Sequence, residues 1–115
     1  MYMDYYQHQT RRTQPKATPK EKLSHALFGL ASEAGEAAGI LQKVYQGHPD
    51  PFEDQDTKTH LIKELGDALW MIAEAADAIG VSLSYVASTN LRKLEDRYPD
   101  GFDPEKSLHR KDDDV

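Results

Sequence analysis

Apolar residues recur along this chain at spacings of three and four, and no stretch alternates with the period of two that a half-buried strand needs. Leu23, Leu27, Leu30, Ala34, Ala37, Leu41 and Val44 make one such stripe. It predicts a long helix opening at Thr18-Pro19-Lys20-Glu21. That is a capping box with proline at the first helical position, so the threonine oxygen can accept the open amide of Glu21. Gly47 and His48-Pro49 break the pattern and begin a connector to about Asp56. A second stripe, Leu61, Leu65, Ala68, Leu69, Ile72, Ala75, Ala76 and Ile79, predicts a helix from about Thr57 to Ile79, closed by Gly80 and paired antiparallel with the first. Ser82 caps a third helix to about Tyr98, with Val81 and Val86 as a hydrophobic staple and Pro99 opposing its continuation. Asp103-Pro104 starts a last short turn, and Asp4 to Arg12 forms a brief leading helix. The expected class is all-α.

Composition narrows this picture. A length of 115 residues allows one domain, taken as 1–110, with 111–115 as a solvated, disordered acidic tail. The 38% hydrophobic content lies below the usual ~45–50%. A domain this small buries only about two thirds of its unfolded surface, so little core is to spare and self-association is expected. No apolar run approaches the ~20 residues that span a bilayer. The first residues also lack the apolar stretch of a secretion signal, so the cytoplasm is the expected compartment and no membrane partner is expected. With no cysteine, disulfide frames, thiolate nucleophiles and thiolate zinc sites are excluded.

Charge adds a constraint on ligands. The formal net charge is −6, yet residues 1–20 carry Arg11, Arg12, Lys16 and Lys20 against Asp4 alone, so the acidity sits in the body. An acidic body argues against nucleic-acid binding, which normally needs a stripe of Lys and Arg. An anionic ligand would need metal ions to reach it.

The chemistry-bearing residues are four acids. LASEAGEAAG places Glu33 and Glu36 three apart, and KELGDALW places Glu64 and Asp67 three apart; residues so spaced share a helix face. Both pairs border an apolar stripe among small residues. If the two helices pack through those stripes, the carboxylates converge into one partly buried cluster, as in di-metal carboxylate bundles. Uncompensated, each buried acid would cost several kcal/mol, and an all-oxygen donor set suits Mg²⁺ or Mn²⁺ better than zinc.

This pattern, E-x-x-E followed by 27 residues and then E-x-x-D, together with TNLRKLEDRYPDGF, resembles the MazG-like family of all-α nucleoside triphosphate pyrophosphohydrolases over about residues 20 to 103. The resemblance implies an antiparallel, four-helix type of bundle completed by a second subunit, as a homodimer or tetramer. It implies Mg²⁺-dependent cleavage of a nucleotide substrate between the α and β phosphates. By motif position Glu33, Glu36, Glu64 and Asp67 would hold the metal, one glutamate would also orient the water, and Asn90 and Lys93 would contact the phosphates. A triphosphate and four carboxylates repel strongly without cations, so one divalent ion is not enough: two would neutralise the carboxylates, a further one could arrive with the phosphates, and Lys63, Lys93 and Arg97 are candidates to neutralise the rest.

Other residues carry less. Asn90, Lys93 and Arg97 share a helix face, which would otherwise read as solvated. Lys43 reads as a surface lysine, Trp70 as a subunit-interface residue and His60 as a helix-start histidine beside Glu64. Gly29, Gly35 and Gly39 each cost about 1 kcal/mol in a helix, which points to close helix approach or room for a ligand. Tyr5, Tyr6 and Arg11 are candidates for a nucleotide pocket. Phosphoribosyl-ATP pyrophosphatases and all-α dUTP or dCTP pyrophosphatases would share the acid pairs and differ in the base pocket. A non-catalytic helical interaction module would leave the acids solvated.

Overall fold

Four of the five helices begin where a side-chain oxygen closes an open backbone amide. Thr18 Oγ1 accepts from the Glu21 N–H at 3.2 Å, Asp54 Oδ2 from Thr57 at 2.9 Å, Ser82 Oγ from Tyr85 at 3.0 Å and Asp103 Oδ1 from Glu105 at 3.0 Å. Such caps contribute about 1 kcal/mol each. The computed structural model describes residues 1–115, and they form α1 (Met3–Thr10), α2 (Pro19–Val44), α3 (Gln55–Ala78), α4 (Leu83–Arg97) and α5 (Pro104–Leu108), with no strand. The expected all-α class holds. Helix α3 starts two residues earlier than the apolar stripe predicts, because Asp54 Oδ2 takes both the N–H and the Oγ1 hydroxyl of Thr57. It ends at Gly80, whose φ of +77° lets the Val81 N–H turn back to Ala76 O at 3.0 Å.

The α2–α3 hairpin is the body of the fold. His25 faces Glu74, Gly29 faces Met71, and Glu33 faces Glu64 and Asp67. Numbers rise along α2 as they fall along α3, so the two run antiparallel. Ala26 and Ile40 of α2 and Ala73 and Ala76 of α3 are buried in the hairpin helices. A Cβ on Gly29 would come within 2.6 Å of Met71 Sδ and Cε, so this glycine permits the close approach expected of it. Gly35 and Gly39 have nothing within 4 Å of a Cβ and make no such approach within one chain.

After Gly80 the chain turns by 99° into α4, and α1 fills the corner. Gln7 is buried there, and its amide bridges three backbone or carboxylate groups. Its Nε2 donates to Asp77 Oδ1 at 2.9 Å and to Val81 O at 3.0 Å, while Oε1 accepts from the Leu83 N–H at 2.7 Å. Asp4 Oδ1 accepts the Ser84 N–H at 3.0 Å. Asp77 also takes Arg11 Nη2 at 2.9 Å and Gln14 Nε2 at 2.8 Å. Arg11, a candidate for a nucleotide pocket, is thus committed to holding α1 on α3.

Only nine of 115 residues are buried, a small core for a chain of this length. Phe28 is 76% exposed, Leu65 56% and Leu91 60%. The radius of gyration is 17.1 Å, against roughly 13 Å for a close-packed chain of this length. The apolar stripes are wider than a single neighbouring helix covers. No single helix is long and apolar enough to cross a membrane.

Candidate metal centre

Helical spacing and antiparallel packing together set the site. Glu33 comes from the middle of α2, and Glu64 and Asp67 from one face of α3, so the hairpin brings an oxygen of each within 4.8 Å of the others. Glu33 and Glu64 are half-buried and Asp67 is exposed, which leaves the cluster open on one side. Glu33 Oε2 and Glu64 Oε2 are buried with no hydrogen-bond partner. The other oxygen of Glu64 is 3.3 Å from His60 Nε2, so His60 supports Glu64 from the adjacent turn.

The electrostatics of these acids are those of anions crowded without a counter-charge. Desolvation pushes the Glu33 carboxyl up to about 7, helped by the close approach of the Glu64 carboxyl and the negative charges of Glu36, Asp67 and Glu64. Glu36, exposed on the next turn of α2, is raised chiefly by the proximity of the Glu64 carboxyl and its charge. Burial, then the charge of Asp67, raises the phenol of Tyr6, which puts α1 within electrostatic reach of the cluster. Two orphaned buried oxygens facing a third carboxylate form a donor set that a hard divalent cation satisfies and that no side chain of the hairpin does.

The basic candidates lie elsewhere. Lys63 adjoins Glu64 in sequence and is exposed. Asn90, Lys93 and Arg97 ride on α4, which packs on α1 and the end of α3. At 1.5 Å rise per residue, Asp67 stands about 16 Å before the end of α3 and Lys93 about 15 Å beyond the start of α4, so at near right angles roughly 20 Å separates them. One chain therefore does not gather the acids and these three residues at one point. Asn90 is exposed, Lys93 is half-buried, and Arg97 is engaged by Asp114.

Some participants are not evident from spacing arguments about acid pairs. Glu74 is completely buried, with Oε1 at 2.5 Å from His25 Nδ1 and Oε2 unpartnered. The signal was present in its position: Glu74 lies two turns beyond Asp67 on nearly the same face, between Ala73 and Ala75. Trp70, read from its spacing as an interface residue, is half-buried within one chain. Its indole N–H donates to Thr13 Oγ1 at 2.8 Å, and its ring meets His25 edge-on at 6.2 Å.

Comparison with known proteins agrees with this geometry. Residues 22–102 match the MazG nucleotide pyrophosphohydrolase domain, a span containing all four acids. The Gene 37 protein of Mycobacterium phage L5 is 39% identical over 77 residues, which is 67% of each chain. The uncharacterized protein YvdC of Bacillus subtilis (strain 168) is 37% identical over 73 residues, 60% of this chain and 69% of YvdC. No solved structure matches. With more than half its length inside that domain, and three of the four acids, Glu33, Glu64 and Asp67, meeting at one point while Glu36 lies outside that group, the chain belongs to the MazG nucleotide pyrophosphohydrolase family.

Proposed function

We propose that this protein hydrolyses nucleoside or deoxynucleoside triphosphates to the monophosphate and pyrophosphate, using Mg²⁺ or Mn²⁺ held by Glu33, Glu36, Glu64 and Asp67. The observation that carries this reading is the convergence of Glu33, Glu64 and Asp67, with two of their oxygens buried and unpartnered. When bound, divalent cations neutralise phosphate charge, act as a Lewis acid on the α phosphoryl group and acidify water. One glutamate of the cluster also orients the attacking water and accepts its proton. The water oxygen bonds to the α phosphorus as the bond to the oxygen bridging the β phosphorus breaks, and pyrophosphate leaves with the electron pair. The absence of cysteine fits a reaction that needs no thiol nucleophile.

The phosphates also need cations from the protein, and Lys63, Asn90, Lys93 and Arg97 are proposed to supply them with their polar neighbours. The separation of α4 from the acids within one chain makes a second copy the natural source of these groups. Exposed Phe28, Leu65 and Leu91 favour the same conclusion, a homodimer or a tetramer built from dimers. A free nucleotide as substrate makes the cytoplasm the proposed site of action.

The test is a panel of common nucleotides with Mg²⁺ and pyrophosphate detection. Monophosphate and pyrophosphate in equal amounts are expected, with loss of turnover in Asp67→Ala. Release of orthophosphate alone, or no turnover on any nucleotide, overturns the assignment.

A further inference from the structure

The C-terminal segment folds back over α4 and ends on Arg97. Nε of Arg97 donates to Asp114 Oδ2 at 2.6 Å and Nη2 to Oδ1 at 2.7 Å, a two-pronged fork. The two side chains are 8% and 14% exposed, so this is no loose surface pair. Around it lies a cleft of about 590 Å³ whose walls include Lys93, Lys106, Arg110 and Lys111 beside the acids Asp96 and Asp113. In a chain of net charge −6, five basic side chains here stand against three acidic ones, Asp114 among them. Arg97, Lys93 and Arg110 together hold the Asp114 carboxyl below its ordinary range, the Arg97 hydrogen bond contributing most.

A guanidinium grips a carboxylate and a phosphate with the same planar fork. Lysines without a carboxylate of their own within 4.0 Å suit a ligand carrying more than one negative charge, and Lys93, Lys106 and Lys111 form no such pair. We infer that the cleft between α4 and residues 106–115 is a polyphosphate-recognition site, and that Asp114 occupies it as an internal substitute for a phosphate. The C-terminal segment then competes with the ligand, so the affinity measured on the whole protein is the intrinsic affinity scaled by the fraction of open cleft. This rests on the reading in which Lys93 and Arg97 meet substrate phosphates, and it adds to that reading a built-in competitor.

The experiment is calorimetric titration of the full chain with inorganic tripolyphosphate, without metal, at low salt. Asp114→Asn removes the competing charge and is expected to bind about tenfold more tightly, the gain for a cleft nine-tenths closed. Asp114→Glu keeps the charge and should stay near the wild-type value. In the Asp114→Asn background, Arg97→Gln should abolish the gain. Equal or weaker binding by Asp114→Asn overturns the proposal and leaves the fork as a structural clamp. Nucleotide turnover measured in parallel separates the two readings. Tighter tripolyphosphate binding with no turnover in any variant keeps the cleft and removes the enzyme assignment. Wild-type turnover with tripolyphosphate affinity and KM both unmoved in Asp114→Asn does the reverse.

Discussion

His25 Nδ1 stands 2.5 Å from Oε1 of Glu74, a carboxyl group with no exposed surface, at the seam where α2 crosses α3. The pair is the one long-range polar contact of the hairpin that the acid cluster does not share. Removing the hydrogen-bond partner of a buried carboxyl leaves that group unsatisfied, at a cost of about 1–3 kcal/mol. His25→Ala should therefore destabilise the protein more than loss of a half-exposed imidazole warrants, because Glu74 stays behind without a partner. Glu74→Ala leaves only a half-exposed imidazole that water can satisfy and should cost less by this route, and the double variant less than the sum. Urea unfolding of the three proteins measures the coupling, and simple additivity would contradict it.

A second prediction concerns pH. The Glu33 carboxyl is raised from 4.5 to about 7 by desolvation, Glu64 and its other acidic neighbours. Between those values the folded protein holds a proton that the unfolded chain releases, so stability decreases as pH rises through this window and levels off above it. Metal-free protein should accordingly melt at progressively lower temperature from pH 4.5 to 7, as far as this group governs it. Divalent cations need the ionised form, so their stabilising effect should grow over the same range. Melting curves with and without Mg²⁺ at several pH values would show the two trends opposing each other.

Much of this arrangement was legible in the chain because its physics is local. Thr18, Ser82 and Asp103 cap helices through side chains one turn from the amides they satisfy, and the acid spacing within α2 and α3 follows from 3.6 residues per turn. The meeting of Glu33 with Glu64 and Asp67 followed as soon as the hairpin was taken as antiparallel. What stayed hidden depends on contacts between distant segments. Gln7 carries no pattern that marks it as the bridge between α3 and α4, and Asp114 reads as one more acid of a polar tail until Arg97 is seen beside it. Apolar periodicity likewise marks Leu65 and Leu69 as buried, yet they are 56% and 40% exposed, because the hairpin covers only part of the stripe.

The corner itself offers a third prediction. Gln7 satisfies Asp77, Val81 and Leu83 with one side chain. Gln7→Ala leaves the buried Leu83 N–H and the Val81 carbonyl without partners, which costs about 2–4 kcal/mol when net hydrogen-bond loss and desolvation are combined. Because α1 touches the hairpin mainly here, the loss should be local. Hydrogen exchange should accelerate at α1 and the first turn of α4 while the middle of α2 stays protected.

Association gives the fourth. An aspartate at Phe28 or at Leu91 places a charge on an exposed apolar surface; if that surface is covered by a second copy, burial of the charge costs several kcal/mol. Light scattering should find the parent protein larger than one chain, and Phe28→Asp or Leu91→Asp shifted toward 13.0 kDa. Far-ultraviolet dichroism should remain helical, since both positions lie on the outer face of a formed helix. A parent protein that is monomeric at high concentration would remove the second copy from the account.

The last prediction separates stability from ligation at the acid cluster. Glu33 carries an orphaned buried oxygen and faces three other acids, so without a cation its charge opposes folding. Glu33→Gln keeps the shape and removes that charge. The metal-free variant should therefore melt higher than the metal-free parent at pH 8, where the parent's Glu33 is ionised, and the difference should vanish at pH 5, where it is not. Adding Mn²⁺ should raise the melting temperature of the parent, by the linkage between binding and folding, and leave Glu33→Gln nearly unmoved. A bland solvated acid would show neither effect, because water screens an exposed carboxylate from its neighbours and a lone exposed acid binds no metal well. The crossing of the two proteins in stability, variant above parent without metal and below it with metal, is thus a signature that only a carboxylate placed to hold a cation can give.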